Sequence, residues 1–201
     1  MNITDHYSRA WGEVQKNLGS WVLFYVVVSA LGLFTCGLAM VLTPNVLREV
    51  RASLDAGRPP DISAIFKMDR IGNDVVNMGI YWVALMAGNL VGLGIVVAVV
   101  LQLLAPLAAD DRYSPMDNAS LALAHMGRNV GDHLVFILIG GGLVLASAMA
   151  CFLPMLLVWP VLGVAQWLWY LACRDELDQI AEAKGIRRLN AAILLNPEES
   201  R

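Results

Sequence analysis

The chain has 201 residues, 58% of them hydrophobic and 15% charged, with a formal net charge of −3 and a mean hydropathy of +0.60. Soluble domains carry about 25% charged residues, so this composition points to a membrane, and the slightly acidic balance excludes a basic nucleic-acid footprint. No glycine-rich phosphate loop of Walker or Rossmann type is present.

The charges fall between three long runs. Residues 17–47, 75–109 and 134–173 contain no Asp, Glu, Lys or Arg. As helices at 1.5 Å per residue these runs reach roughly 46, 52 and 60 Å, against a hydrocarbon core of about 30 Å. Each run carries a breaker near its middle: Thr35-Cys36-Gly37, Gly92-Leu93-Gly94 and Cys151-Phe152-Leu153-Pro154. The spacing predicts an all-α polytopic membrane protein of about six short transmembrane helices in three hairpins, near residues 19–35, 38–56, 74–91, 94–109, 133–150 and 154–173. Arg48 and Arg51 then snorkel from the second helix. Hairpins place all 14 Lys and Arg on one face, in keeping with the positive-inside rule. The expected location is the bacterial inner membrane, with both termini cytoplasmic. A three-span chain with its N-terminus outside is the alternative.

An amphipathic helix precedes the first run and another precedes the third. Thr4 or Asp5 is a start signal for the first, and Ser114-Pro115-Met116-Asp117 is a capping box with Pro at the first helical position. Tyr7, Trp11, Val14 and Leu18 lie at helical spacing, as do Ala119, Leu123, Met126 and Val130 after a shift of 112. Asn17-Leu18-Gly19-Ser20 matches Asn129-Val130-Gly131-Asp132, and "CGLAMVLTP" at 36–44 echoes "CFLPMLLVWP" at 151–160. An internal repeat follows, with units at about 5–57 and 114–174, a middle hairpin at 74–109, and a cytoplasmic tail at 175–201. Residues 1–174 form the membrane domain. The amphipathic helices either lie in the membrane interface or pack on the cytoplasmic ends of the other helices. Tyr7, Trp11, Lys16, Arg128, Trp167 and Trp169 are the candidate interfacial residues.

The stretches "RAWGEVQKNLGSWVLF", "PPDISAIFKM" and "LAPLAADDRYSPMDNASLALAHMGRNVGDHLVF" resemble a family of bacterial polytopic membrane proteins. It includes the membrane domain fused to some glycerophosphodiester phosphodiesterases and stand-alone relatives. The resemblance covers roughly residues 7–174. It implies six membrane helices with paired amphipathic helices and no assigned catalytic site; the phosphodiesterase barrel itself has no counterpart here.

The three runs hold no intramembrane charge, the usual marker of ion or proton coupling. Their polar residues include Ser29, Thr35, Asn77, Asn89, Gln102 and Gln166. Asn89 and Gln102 line a polar path or bond across helices. Gly88 and Gly92 form a GxxxG spacing suited to close helix packing. Cys36 and Cys151 fall at equivalent hairpin tips, where a disulfide is open to them. His125 and His133 read as solvated or headgroup-facing, and Asp110-Asp111-Arg112 as a solvated turn. No metal or cofactor site and no catalytic constellation is expected. The function read from the sequence is a non-enzymatic membrane scaffold or accessory subunit, with the lipid bilayer and a homo-oligomer or membrane-protein complex as partners and no nucleic acid. An oligomeric transporter or pore for a small solute is the alternative.

Overall fold

The computed structural model describes residues 3–35, 41–67, 70–90, 102–149 and 154–189. These residues form eight α-helices and one short 3-10 helix, with no strand among them. The helices are α1 Ile3–Lys16, α2 Leu18–Phe34, α3 Thr43–Ala56, α4 Ile71–Leu90, α5 Leu104–Asp110, α6 Pro115–Arg128, α7 Val130–Met149 and α8 Met155–Ala183; the 3-10 helix spans Ile62–Phe66.

Local signals set most boundaries. Helix α1 has begun by Ile3, ahead of the Thr4 and Asp5 start signals. It turns into α2 at Asn17 through a bend of 103°, and the Asn17 carbonyl accepts the Ser20 and Trp21 amides at 3.0 and 3.1 Å. The same joint recurs between α6 and α7, where the Asn129 carbonyl accepts the His133 amide at 3.2 Å. Ser114 caps α6 by accepting the Asp117 amide, with Pro115 at the first turn. Gly57 ends α3 in the left-handed region at φ +61, a conformation that glycine adopts without steric cost.

Helix α8 is the axis of the fold: α1, α2, α3, α5, α6 and α7 all pack on it. Trp167, Tyr170, Val164, Ala165, Leu177 and Ile180 from α8 meet Phe24, Leu47, Leu107 and Leu121 in one core. The apolar stripe of α1 (Ile3, Tyr7, Ala10 and Val14) is buried along α8. Of the two placements open to an amphipathic helix, α1 therefore takes packing on its neighbours. The close approach shows at Gly140, where an added Cβ would lie 3.1 Å from the Tyr7 hydroxyl. That hydroxyl donates to the Phe136 carbonyl at 2.7 Å.

Among the described residues two helices, α7 and α8, are long and apolar enough to cross a membrane, and a third crossing is added if the bent α1–α2 pair is one span. The first expected helix matches α2, the third α4 and the fifth α7, each within a few residues. Helix α3 starts later than expected and carries Arg48, Glu49 and Arg51 along its length. Of the fourth expected helix, residues 94–101 lie outside the described residues, and the described part is helical at Leu104–Asp110. Helix α8 continues without a break past residue 173 to Ala183, where Gly185 at φ +68 turns the chain. The breakers at 36–37, 92–94 and 151–153, Gly92, and the Cys36–Cys151 pair lie outside the described residues.

Candidate functional site

Helix α3 and the end of α5, with Ala64, Lys67 and Arg70, line a polar cleft of about 430 Å³. Arg48 is its anchor. Its guanidinium grips the Asp74 carboxylate with two bonds of 2.7 Å. It also reaches Asp111 at 3.1 Å, the Ala108 carbonyl at 3.1 Å and the Asn45 side chain at 2.5 Å. One side chain thus joins α3 to α4 and to the end of α5. Such a two-pronged geometry is specific to arginine, and it compensates a carboxylate whose side chain is only 1% exposed.

Asp110, 2% exposed at the side chain, is a second node. It accepts from Arg51 at 2.8 Å and from the Tyr170 hydroxyl at 2.6 Å, and Arg174 stands 3.4 Å away. Asp111, in the left-handed region at φ +53, also takes Arg70. Glu49 holds Arg58 at 2.7 Å, the Ser53 hydroxyl at 3.0 Å and the Asp61 amide at 2.8 Å. Asp61 caps the 3-10 helix, and the hydroxyl and amide of Ser63 hold its carboxyl below the usual range. Asn45 then stitches that helix to α3 by donating to the carbonyls of Ile65 at 3.1 Å and Lys67 at 2.7 Å. Asp178 gathers Arg112 and Arg188, both at 2.7 Å, with the Tyr113 hydroxyl at 2.6 Å.

The reading of Asp110-Asp111-Arg112 as a solvated turn is corrected: Asp110 is buried among partners brought from α3 and α8. The reading of His125 and His133 as solvated is corrected too. The α6–α7 joint folds them together, fully enclosed, with His125 Nδ1 3.0 Å from His133 Nε2. Trp169 stands edge-on to both rings, and Glu176 lies 3.6 Å from His125 Nε2. Burial is the main influence on His125 and lowers its pKa; Glu176 and Asp132 pull it back up, and Arg128 adds to the fall. Among the described residues, no group of three or more His, Cys, Asp or Glu is placed to hold a metal ion.

The remaining candidate residues divide. Tyr7, Trp167 and Trp169 are buried in helix packing, and the Arg51 guanidinium stacks 5.8 Å from the Trp167 ring centroid. Trp11, Lys16 and Arg128 are exposed, Lys16 paired with Glu13 at 2.6 Å. Gly88 is buried on α4 and Asn89 faces outward. Gln102 borders a small cavity of about 160 Å³ with Thr43, Tyr81 and Gln166. Its backbone carbonyl accepts from Gln166 at 2.8 Å, while both atoms of its side-chain amide are buried without a partner.

Asp74 escaped the sequence reading, and Asp110 and the histidine pair were read as solvated. Two of them left a trace: Asp74 and Asp110 directly flank the charge-free run 75–109, as Arg48 directly follows the run 17–47. No protein-family model, curated protein or solved structure matches the chain.

Proposed function

We propose that this chain is a six-crossing protein of a bacterial inner membrane, built from three hairpins with both termini cytoplasmic, and that it serves as a non-enzymatic scaffold or accessory subunit within a homo-oligomer or a larger membrane complex. One observation carries this reading. The buried acids in and beside the cleft (Asp74, Asp110 and Glu49) are each matched to an arginine. The first two tie α3 to α4 and α5, so the charges serve as struts between helix ends. The outer faces of α4 and α7 support it further, because Val83, Met86 and Leu90 on one and Leu138, Leu145 and Met149 on the other are exposed and apolar. Such faces suit lipid or partner helices. The resemblance to phosphodiesterase-fused membrane domains agrees with an accessory role.

Purification in mild detergent, followed by cross-linking and mass spectrometry, tests this function. A stoichiometric partner or a defined homo-oligomer is expected; a monomer that captures nothing overturns it. Cysteine substitution at positions 93 and 152, with native Cys36, tests the hairpins. Labelling of these sites from the cytoplasm overturns the three-hairpin topology.

A transporter or pore is the second reading, favoured by the unpaired Gln102 amide beside its cavity. A cavity of about 160 Å³ has room for a few waters at about 30 Å³ each. Solute flux in liposomes, lost in Gln102→Leu, supports it; an impermeable reconstituted protein removes it.

A further inference from the structure

The acids and the cations of the polar cleft are not spent equally. Glu49 gives its oxygens to Arg58, the Ser53 hydroxyl and the Asp61 amide. Asp110 gives its own to Arg51 and Tyr170, and Asp111 to Arg48 and Arg70. These carboxylates are at most 15% exposed. Arg48 in turn spends its guanidinium on Asp74, Asp111, Asn45 and Ala108. The enclosed charges of the cleft are thus matched within the protein.

Arg51, Lys67 and Arg70 line the same cleft and are not. Among the described residues, Arg51 donates one hydrogen bond, from Nη1 to Asp110 at 2.8 Å. Asp55 stands 3.6 Å from its Nε, too far for a hydrogen bond, and contact with the Trp167 ring restrains the guanidinium. Arg70 also donates one, from Nη1 to Asp111. Lys67 makes no side-chain hydrogen bond or ion pair among the described residues, although Asp61 feels its charge. The consecutive acids Asp110 and Asp111 therefore each hold one guanidinium by one nitrogen, and the other N–H groups stay unspent. The side chains of Arg51 and Arg70 are 41% and 57% exposed, and Lys67 is exposed as well, so a molecule in the cleft reaches all of them.

The donors select the ligand. A carboxylate offers its oxygens in one plane and is satisfied by a single guanidinium. A phosphate offers its oxygens in a tetrahedron, which suits forked donors from arginine together with the point charge of a lysine. A volume of about 430 Å³ falls within the range of small-molecule pockets, about 300–1,000 Å³. The cleft's remaining acid, Asp55, is 68% exposed and touches only Arg51. An exposed pair of that length holds weakly, and an incoming phosphate displaces it.

We infer that this cleft binds a phosphate group, held by the unspent N–H groups of Arg51 and Arg70 and by the Lys67 ammonium. A phospholipid headgroup and a soluble phosphate are the two sources of that chemistry. The site requires neither the scaffold role nor a given number of crossings.

Two titrations of the full chain, delipidated in neutral detergent, test this. Calorimetry with inorganic phosphate reads the soluble source. Native mass spectrometry with phosphatidylglycerol, against diacylglycerol as the phosphate-free comparison, reads the lipid. One-to-one binding of at least one phosphate probe is expected, and the tighter of the two names the source. Lys67→Gln is expected to weaken that binding about 3- to 10-fold with an unchanged thermal midpoint, and Lys67→Arg to keep it. Asp55→Asn is expected to strengthen it about 2- to 5-fold. Lys16→Gln removes an exposed cation on α1, outside the cleft, and is expected to change nothing. Failure of both probes to bind overturns the proposal, as does diacylglycerol retained as well as phosphatidylglycerol when inorganic phosphate does not bind. Wild-type affinity in Lys67→Gln also overturns it, and so does an equal loss in Lys16→Gln, which assigns the binding to diffuse charge.

Discussion

Arg48 holds Asp74 in a two-pronged ion pair, both bonds 2.7 Å long, across 26 residues of sequence. The carboxylate is enclosed and the guanidinium is mostly so. Removing one partner of a buried pair leaves the other charge uncompensated and costs about 3–5 kcal/mol.

Arg48→Ala is therefore expected to lose about that much stability, read as a fall in the temperature at which the detergent-solubilised protein aggregates. The double variant Arg48→Met/Asp74→Leu removes both charges and keeps side-chain volume. It is expected to recover most of the loss. A double variant no better than the single one contradicts this account.

Tyr170→Phe deletes only the hydroxyl that donates to Asp110 at 2.6 Å. A hydrogen bond to a charged group contributes about 1.5–3 kcal/mol, and the ring's contact with Trp167 remains. The thermal midpoint is expected to drop while helical content is unchanged. If the midpoint does not move, Arg51 and Arg174 suffice for Asp110.

Gly140 and Gly141 are neighbours with opposite surroundings. A Cβ at Gly140 meets the Tyr7 hydroxyl at 3.1 Å and Leu162 at 3.3 Å, whereas one at Gly141 meets nothing within 4 Å. Gly140→Leu is expected to cost about 1–3 kcal/mol through overpacking and to loosen α1, exposing it to limited proteolysis. Gly141→Leu is expected to leave both readings near wild type.

His125 sets a pH dependence. Burial lowers the folded pKa of His125 below its ordinary 6.5, so the unfolded chain takes up the proton first as pH falls. The stabilisation is complete above about 6.5 and declines as pH drops through that value toward the folded pKa. Thermal midpoints are expected to fall between roughly pH 7.5 and 5.5, a decline that His125→Gln flattens. A profile identical in the variant assigns the acid sensitivity to other groups.

What the sequence disclosed depended on how far a signal reaches along the chain. Helices α2, α7 and α8 were legible because freedom from charge is a property of contiguous residues. The Ser114 cap was legible because its partner Asp117 is three residues away. Even the twin joints at Asn17 and Asn129 showed as a four-residue match. Asp110 was misread because its partners Arg51 and Tyr170 lie 59 and 60 residues off. Tertiary packing alone shows that the turn is enclosed. His125 and His133 are close in sequence, yet their contact depends on a reversal at Asn129 whose angle no local pattern states. Tyr7, Trp167 and Trp169 carry the composition of an interfacial belt, and only the docking of α1 on α8 shows them to be core.

That docking also orders events in time. Helix α1 finds its surface on α8, and 138 residues separate Lys16 from Met155. At about 5–20 residues per second, roughly 7–28 seconds pass between the synthesis of α1 and the start of its partner. For most of that interval the stripe of Ile3, Tyr7, Ala10 and Val14 lacks its main protein cover, and Tyr7 gains Phe136 of α7 before α8 is made. An apolar stripe that waits for its partner suits a membrane interface, and the nascent helix is expected to rest there until α8 arrives.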